Sequence, residues 1–403
     1  MSTQPSPVTL PARVAELFSE SLRRRLLALR QDLHRFPELA FEEHRTAERL
    51  EAELRELEPL EITRVAGTGV VARLKGRDPQ APVVALRGDI DALPVEEETG
   101  LPFASEHPGV MHACGHDVHA SWTVGAACLL AAQPAAGDVL IVLQPAEEVG
   151  RGAQAILDTG ILNDAAVIFG GHVDRRFPVG QVVADEGLLA ASSDMFEIEL
   201  LGKGAHGARP HESADPIVGG AALVGALQTI VSRRLEPGQP GVVSIGTFNA
   251  GRAANVIPER AHLTGTLRAT SPKNRELLRS ELERISHSTA AVYRLTARLV
   301  FQAGTPPILN PPQATAWARQ GAASLLGDDA IVPLGLLNMA GEDFAYYMES
   351  IPGCFLRIGA REPDGEVIPA HSPRFYAVDE TVLVGAAVLA EAARVASRAL
   401  AQG

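Results

Sequence analysis

The sequence predicts an α/β protein with a mostly parallel sheet, helices on both faces of that sheet, and a smaller inserted ferredoxin-like α+β domain. In residues 1–188, short and uniformly apolar runs alternate with helical segments, which is typical of parallel strands buried on both faces. In residues 189–304 the order becomes strand, helix, two strands, helix and strand, as in a ferredoxin-like unit. Residues 305–403 return to the first pattern, so the main domain is predicted to be discontinuous.

The first part of the chain is predicted to begin with a disordered lead-in and two amphipathic helices. Residues 1 to about 12 are rich in proline and small polar residues. Helical spacing of apolar residues predicts helices over Val14–Phe36 and Glu42–Leu57. Apolar runs predict four buried strands, at Val70–Leu74, Val83–Leu86, Val139–Leu143 and Ala165–Phe169. Two more helices are predicted between the later strands, at Val118–Ala132 and Gly152–Thr159.

The predicted insertion contains a clear helix start signal. The pair Ser271-Pro272 supplies a helix N-cap and a proline at the first helical position, so a helix is predicted from there to about Tyr293. The other elements predicted here are strands at Ser193–Leu201, Val242–Thr247, Ala261–Ala269 and Leu295–Phe301, and a helix at Asp215–Leu235. After the insertion, an alanine-rich helix is predicted at Thr381–Ala401.

The composition indicates a globular protein. Its 403 residues favour two domains, and its hydrophobic content of 46% is ordinary. A net charge of −13 and a pI near 5.4 argue against binding to nucleic acids or anionic membranes. Three scattered cysteines fit a reducing cytoplasm. No secretory signal is seen, and no uninterrupted apolar stretch reaches the roughly 18 residues expected of a membrane-spanning helix.

The segment Met111–His119 concentrates potential metal ligands. It contains three of the 12 histidines and one of the three cysteines. Cys114 and His116 are two residues apart, so a short turn could direct both side chains into one site, and thiolate and imidazole are common ligands of zinc and related metals. The alternative is a polar helix start with Asp117 as its cap and solvated histidines.

Polar side chains also follow three of the predicted strands. Asp89 and Asp91 come after one strand, Glu147 and Glu148 after the next, and His172 after the last. Open α/β sheets place their reactive groups beyond the carboxyl ends of the strands, so these residues are predicted to meet. In the glutamate pair, one carboxylate can bind a metal while its neighbour moves protons. The alternative is a solvated acidic helix start.

Nine motifs in chain order, from residue 32 to residue 375, resemble the M20 metallopeptidases, and specifically their amidohydrolase branch. That branch includes hippurate hydrolases, N-acyl-amino-acid aminohydrolases and auxin-conjugate hydrolases. The motifs are Asp32-Leu-His-Arg-Phe-Pro-Glu-Leu, Arg87-Gly-Asp-Ile-Asp-Ala-Leu-Pro-Val, Thr99-Gly-Leu-Pro-Phe-Ala-Ser, Met111-His-Ala-Cys-Gly-His-Asp-Val-His, Gln144-Pro-Ala-Glu-Glu, Gly202-Lys-Gly-Ala-His-Gly-Ala-Arg-Pro-His, Asn255-Val-Ile-Pro, Gly341-Glu-Asp-Phe-Ala and His371-Ser-Pro-Arg-Phe.

The resemblance implies a site for two divalent ions, with Mn, Zn, Co or Ni all compatible with the ligands. Glu147 matches the general base, and Asp91 is interpreted as orienting a ligand. Asp89 stands where other M20 branches have a histidine, and its role is left open. The implied metal ligands are Cys114, His116, Glu148, His172 and His371.

The resemblance further implies that the insertion is a lid and dimerisation domain. His206 and Asn255 match positions that contact the substrate or polarise its carbonyl oxygen, and in this family the histidine can come from the partner subunit. Arg268 is a candidate for binding a substrate carboxylate, with an exposed salt bridge as the alternative.

The function expected from the resemblance is hydrolysis of the amide bond of an N-acyl amino acid by a cytoplasmic homodimer or higher homo-oligomer. A dipeptidase or exopeptidase with the same chemistry is one alternative. A non-catalytic relative that binds acyl-amino acids is another. A Rossmann-type nucleotide enzyme is disfavoured, because no Gly-x-Gly-x-x-Gly follows the early strands.

Overall fold

The computed structural model describes residues 8–302 and 304–402. The chain divides into two compact units. The first comprises the chain up to Leu189, the segment Leu309–Leu336 and the chain from Tyr346 onward. The second comprises Ala190–Ile308 and Leu337–Ala345. Most of the predicted lead-in, residues 1–7, lies outside the described residues.

The described residues form ten α-helices and fifteen strands. The helices α1–α10 are Ala12–Ala15, Glu20–Arg35, His44–Arg55, His116–Ala132, Gly152–Leu157, Pro216–Thr229, Pro272–Val292, Pro312–Leu326, Phe344–Met348 and Glu380–Leu400. The strands β1–β15 are Glu61–Val65, Gly69–Leu74, Val83–Asp89, Val139–Gln144, Ala165–Pro178, Val182–Val183, Gly187–Ala190, Asp194–Leu201, Ala205–His206, Gly241–Ala250, Val256–Ile257, Arg260–Ala269, Thr296–Phe301, Ile308–Asn310 and Gly353–Arg361.

The first unit is built on a seven-stranded sheet with the order β1-β2-β4-β3-β5-β15-β6. Its four central strands, β4, β3, β5 and β15, are parallel to their neighbours in this group. The outer strands pair in the antiparallel direction. Strand β4 is buried at every residue, as the apolar run Val139–Leu143 predicts for the middle of such a sheet.

Helix α4 lies at the centre of the helical layer, against α2 and α10. It is buried from His116 to Leu130, so its polar first turn is held inside the protein. Small residues permit its close approach to α10, because a Cβ atom at Gly385 would lie 2.2 Å from the ring of Trp122. The same helix therefore anchors the core and carries the first polar residues of the candidate site.

The second unit contains a four-stranded antiparallel sheet with the order β10-β12-β8-β13. Strand β8 alternates buried and less buried residues, and its buried side chains share a core with α6 and α7. Helix α7 begins as predicted: the Ser271 side chain accepts a hydrogen bond from the Asn274 N–H at 3.2 Å, and Pro272 occupies the first turn. The fold class expected from the sequence is confirmed, with a mostly parallel sheet in one unit and an inserted α+β unit.

Several element boundaries differ from those predicted. The helix predicted over Val14–Phe36 is interrupted, because the Ser19 side chain caps a new helix by accepting from the Leu22 N–H at 3.2 Å. Residues 337–345 group with the second unit rather than with the rest of 305–403. Their backbone pairs within that unit, where the Ala191 N–H donates to the Asn338 carbonyl at 3.0 Å.

One helical segment, Pro216–Arg234, is long and apolar enough to cross a membrane by length and composition alone. It lies within the helix predicted at Asp215–Leu235 and contains the polar residues Gln228 and Ser232. Its residues Leu223 and Leu227 are fully buried in the core of the second unit. One such helix is weak evidence for a membrane span, because a core helix meets the same criterion.

Candidate metal centre

The turn before α4 directs Cys114 and His116 into one site. Gly115 between them has a φ of +84°, a left-handed conformation that glycine adopts without strain. A Cβ atom at this position would also lie 2.6 Å from the Val173 side chain on β5. The turn thus places a thiol and an imidazole side by side at the buried start of a helix.

Hydrogen bonds determine which nitrogen of each candidate histidine ligand is available. His172 donates from Nδ1 to the Val173 carbonyl at 2.7 Å, so its Nε2 carries a lone pair, 3.2 Å from the Cys114 Sγ. His116 likewise donates from Nδ1 to the Asp91 carboxylate at 3.1 Å. Its Nε2 is buried and has no hydrogen-bond partner in the described part of the chain. Both rings therefore direct Nε2 toward the same space.

The Asp91 carboxylate connects His116 to the loop that carries Glu148. The second oxygen of Asp91 accepts from the Glu148 N–H at 2.9 Å, while its first oxygen accepts from His116. These are the contacts expected of a residue that orients a ligand. The loop that carries Glu147 and Glu148 begins at Ala146, whose φ is +56°. Such a conformation is costly for a residue with a side chain and is found at functional sites.

His371 reaches the site from the far end of the chain. Its N–H donates to the Ala113 carbonyl at 2.8 Å, which fixes residue 371 beside the Cys114 turn. Its backbone is also left-handed, with a φ of +67°. The Nε2 atom lies 3.5 Å from a carboxylate oxygen of Glu148, and the side chain is 57% exposed. The tertiary fold therefore brings in a candidate ligand that no sequence spacing could indicate.

The donor atoms form overlapping groups within the first unit. Within each group, the potential ligand atoms lie no more than 4.8 Å apart. Cys114 belongs to two of the groups. The groups that contain at least two of the predicted ligands are Cys114–His116–His172, Cys114–Glu148–His371 and His116–Glu147–Glu148.

Without a metal, burial and nearby charges shift the protonation of the donor set away from its metal-binding form. Burial, followed by the charge of Glu148, raises the pKa of the Cys114 thiol well above its usual range. Burial raises the pKa of Glu148 to about 7, and its Oε1 atom is buried without a hydrogen-bond partner among the described residues. Although burial lowers the pKa of His116, the Asp89 charge and the Asp91 hydrogen bond raise it well above normal. A divalent ion favours the opposite protonation states, so the residues fit a metal.

Asp89, whose role the sequence left open, lies behind the ligands. Its two oxygens accept from the Arg87 guanidinium at 2.7 Å and from the His119 Nδ1 at 2.6 Å. The His119 Nε2 in turn accepts from the Val173 N–H at 2.9 Å. Because both nitrogens of His119 are engaged, this histidine positions the strand next to His172 and is not available as a ligand.

Glu43, which was not predicted as a site residue, holds the loop that begins at Ala146. Its buried carboxylate accepts from the Ala146 N–H at 2.9 Å and from the Thr68 hydroxyl. Glu43 lies at the start of α3, more than 100 residues from Ala146. The sequence carries no signal for this contact, because an acidic residue before a helix is an ordinary N-terminal feature.

Asp117 points away from the donor groups into a buried ionic cluster. Its Oδ2 accepts from the Arg30 Nε and from the His34 Nδ1, both at 2.9 Å. Arg30 also donates to Asp379 at 2.8 Å. Burial raises the pKa of Asp117, but Arg30 and His34 outweigh it and hold the pKa well below its usual range. The cluster ties α2 and the segment before α10 to the helix that starts at His116.

Asp117→Asn should therefore lower the free energy of unfolding by about 3–5 kcal/mol at pH 7, because it removes the buried carboxylate that Arg30 and His34 share. The folded pKa is depressed below the ordinary value of 3.8, so the stabilisation is present above that pH and is lost as the pH falls through the folded pKa. Urea denaturation should show a difference in the free energy of unfolding between wild type and variant that becomes smaller below about pH 4. A difference that is absent or independent of pH would contradict the ionised, stabilising role of Asp117.

The three predicted residues of the insertion lie in the second unit. His206 and Asn255 come together there, because β9 pairs with β11 and the Gly207 N–H donates to the Asn255 carbonyl at 2.7 Å. The His206 Nδ1 accepts from the Ala208 N–H at 3.0 Å, which leaves a proton on its exposed Nε2. Arg268 is half-buried on β12, and burial lowers its pKa.

Comparisons with known proteins agree with the geometry. The model of Peptidase family M20/M25/M40 matches residues 85–395. N-acetyl-L-cysteine deacetylase of Bacillus subtilis is 39% identical over 369 residues, which cover 91% of this chain and 86% of that protein. Thermostable carboxypeptidase 1 of Saccharolobus solfataricus is 35% identical over 366 residues, which cover 89% and 91% of the two chains.

The solved structure of the Bacillus subtilis YXEP protein, described as a dinuclear metal-binding peptidase of the M20 family, is also similar. It aligns with a TM-score of 0.82 and 35% identity, covering 94% of this chain and 99% of that chain. The family match spans most of the chain, so the resemblance inferred from the ordered motifs is confirmed. The chain belongs to peptidase family M20/M25/M40 and is a hydrolytic enzyme.

Proposed function

We propose that this protein hydrolyses the amide bond of N-acyl amino acids, with two divalent ions held in its first unit. The observation that carries the proposal is the pair of ligand groups that share Cys114 and lie beside Glu147. The relative named N-acetyl-L-cysteine deacetylase supports an N-acyl amino acid as the substrate class.

The ions would be held by Cys114, His116, Glu148, His172 and His371. Thiolate, imidazole and carboxylate ligands together suit Zn, Mn, Co or Ni. Divalent ions bound there polarise the amide carbonyl and lower the pKa of water from about 15.7 to about 7.

Glu147 acts as the general base and then as the general acid. Its Oε2 lies 3.9 Å from the His116 Nε2, so it adjoins the ligands. It accepts the proton of the attacking water and passes it to the departing amine. Asp91 keeps this arrangement in register, because one carboxylate orients His116 and holds the backbone of Glu148.

We also propose that the second unit is the lid and dimerisation domain implied by the family. His206 would donate a hydrogen bond to the oxyanion, which can contribute roughly 10²–10³ in rate. Asn255 and Arg268 would bind the substrate. Since all three cysteines are free, a reducing cytoplasm is the proposed location of the homo-oligomer.

An assay of metal-stripped and metal-reconstituted enzyme tests the substrate class. N-acetyl, N-benzoyl and indole-acyl amino acids are compared with a dipeptide panel. We expect reconstitution to restore activity, with an acyl substrate turned over faster than any dipeptide. Faster turnover of dipeptides than of every acyl substrate would favour the alternative of an exopeptidase, which the carboxypeptidase relative also represents.

A further inference from the structure

Four arginines are buried in the described part of the chain, and three of them have a carboxylate partner. Arg30 pairs with Asp117, Arg87 with Asp89 and Arg175 with Glu362. The fourth, Arg357, is 8% exposed. Among residues 8–302 and 304–402, no hydrogen bond or ion pair engages its guanidinium, and its Nε is fully buried without a partner.

Arg357 lies directly beside a candidate metal ligand. In the parallel pairing of β15 with β5, it stands opposite His172. Paired residues of adjacent strands lie about 4.8 Å apart and place their side chains on the same face of the sheet. The side chains of Arg357 and His172 therefore share one face of the sheet.

No carboxylate of the described residues pairs with Arg357. On its own strand, the residues on the same face are Phe355, whose ring centroid lies 5.9 Å from the guanidinium carbon, and Gly359. On its other side, the antiparallel register places Val183. Two residues beyond His172 on β5, Asp174 has a carboxylate, but both of its oxygens accept hydrogen bonds from Arg176.

We propose that Arg357 binds a carboxylate of the substrate, so that the enzyme selects acyl-amino acids that carry a negative charge close to the His172 side of the site. A buried and unpaired cation costs free energy, and here it also lies beside residues suited to divalent cations, which it would repel. A carboxylate on the substrate would offset both costs, and a guanidinium can bind a carboxylate through two hydrogen bonds. This inference rests on the proposed hydrolysis for its substrate, although the binding site itself is independent of turnover.

Paired substrates that differ by one carboxylate test the proposal and identify which carboxylate is bound. N-acetyl-L-methionine and its carboxamide report on the α-carboxylate, and N-succinyl- and N-butyryl-L-methionine report on the acyl group. Arg357→Met should raise KM for the charged member of one pair roughly 10- to 100-fold, as expected for the loss of a charge-assisted hydrogen bond. We expect kcat, metal content and the KM for the neutral member to change little, and Arg357→Lys to restore part of the discrimination.

Calorimetric titration of metal-free protein with the same compounds provides a readout that needs no catalysis. Arg398→Met serves as the control, because this arginine is half-exposed and pairs with Glu391. Two results would overturn the role of Arg357. One is an equal loss of affinity for the charged and the neutral compound of each pair, and the other is an equal affinity of wild type and Arg357→Met for the charged compounds. If wild type hydrolyses no acyl-amino acid, the proposed function fails, and the titration alone then decides whether Arg357 binds carboxylates.

Discussion

Replacement of Glu147 by glutamine should lower kcat by about 10²- to 10⁴-fold, the range of a general acid–base group. Glutamine keeps the size of the side chain and removes its capacity to accept the proton of the attacking water. The carboxylate is 10% exposed and lies 3.9 Å from the His116 Nε2, so it adjoins the ligands. The metal content measured by elemental analysis should therefore stay near that of wild type.

The control for this change is Glu349→Gln, which alters an exposed glutamate of the same unit. Its kcat should match wild type. Turnover by Glu147→Gln at the wild-type rate would show that the base is assigned wrongly. A parallel loss of metal and activity would instead place Glu147 among the ligands.

Replacement of Cys114 by serine should weaken metal binding by more than roughly 10- to 100-fold. That range is typical of mutating a residue that only hydrogen-bonds to a metal ligand. The reason is that Cys114 belongs to two of the three ligand groups, so one substitution affects both. A serine hydroxyl is also a much poorer ligand for zinc and related metals than a thiolate. Activity measured without added metal should fall with occupancy.

Cys128→Ser is the matched control, because Cys128 is a buried, free cysteine on α4, the helix that follows Cys114. Burial raises the pKa of this thiol to about 11, which is consistent with a packed side chain that takes no part in the site. We expect this variant to retain its metal. Metal loss in Cys128→Ser comparable with that in Cys114→Ser would mean that the effect comes from the stability of α4.

Local sequence pattern predicted the elements whose signals are contained within a few residues. The apolar runs at Val83–Leu86 and Val139–Leu143 both lie inside observed strands, because a strand buried on both faces needs no polar positions. The Ser271-Pro272 pair predicted the start of α7 for a similarly local reason. The strand at Ala165–Phe169 was predicted too short: β5 continues to Pro178, so His172 lies within the strand and not beyond its end.

The residues of the candidate site also fall into those with a local sequence signal and those without one. Sequence alone predicted potential ligands in the Cys114–His116 turn and at the adjacent Glu147 and Glu148, because the residues of each pair are close in the chain. Only the tertiary structure brought His371 to Ala113, engaged both nitrogens of His119, and left Arg357 buried without a partner. These features depend on contacts between residues far apart in sequence, whose energies come from packing and burial that no local pattern encodes.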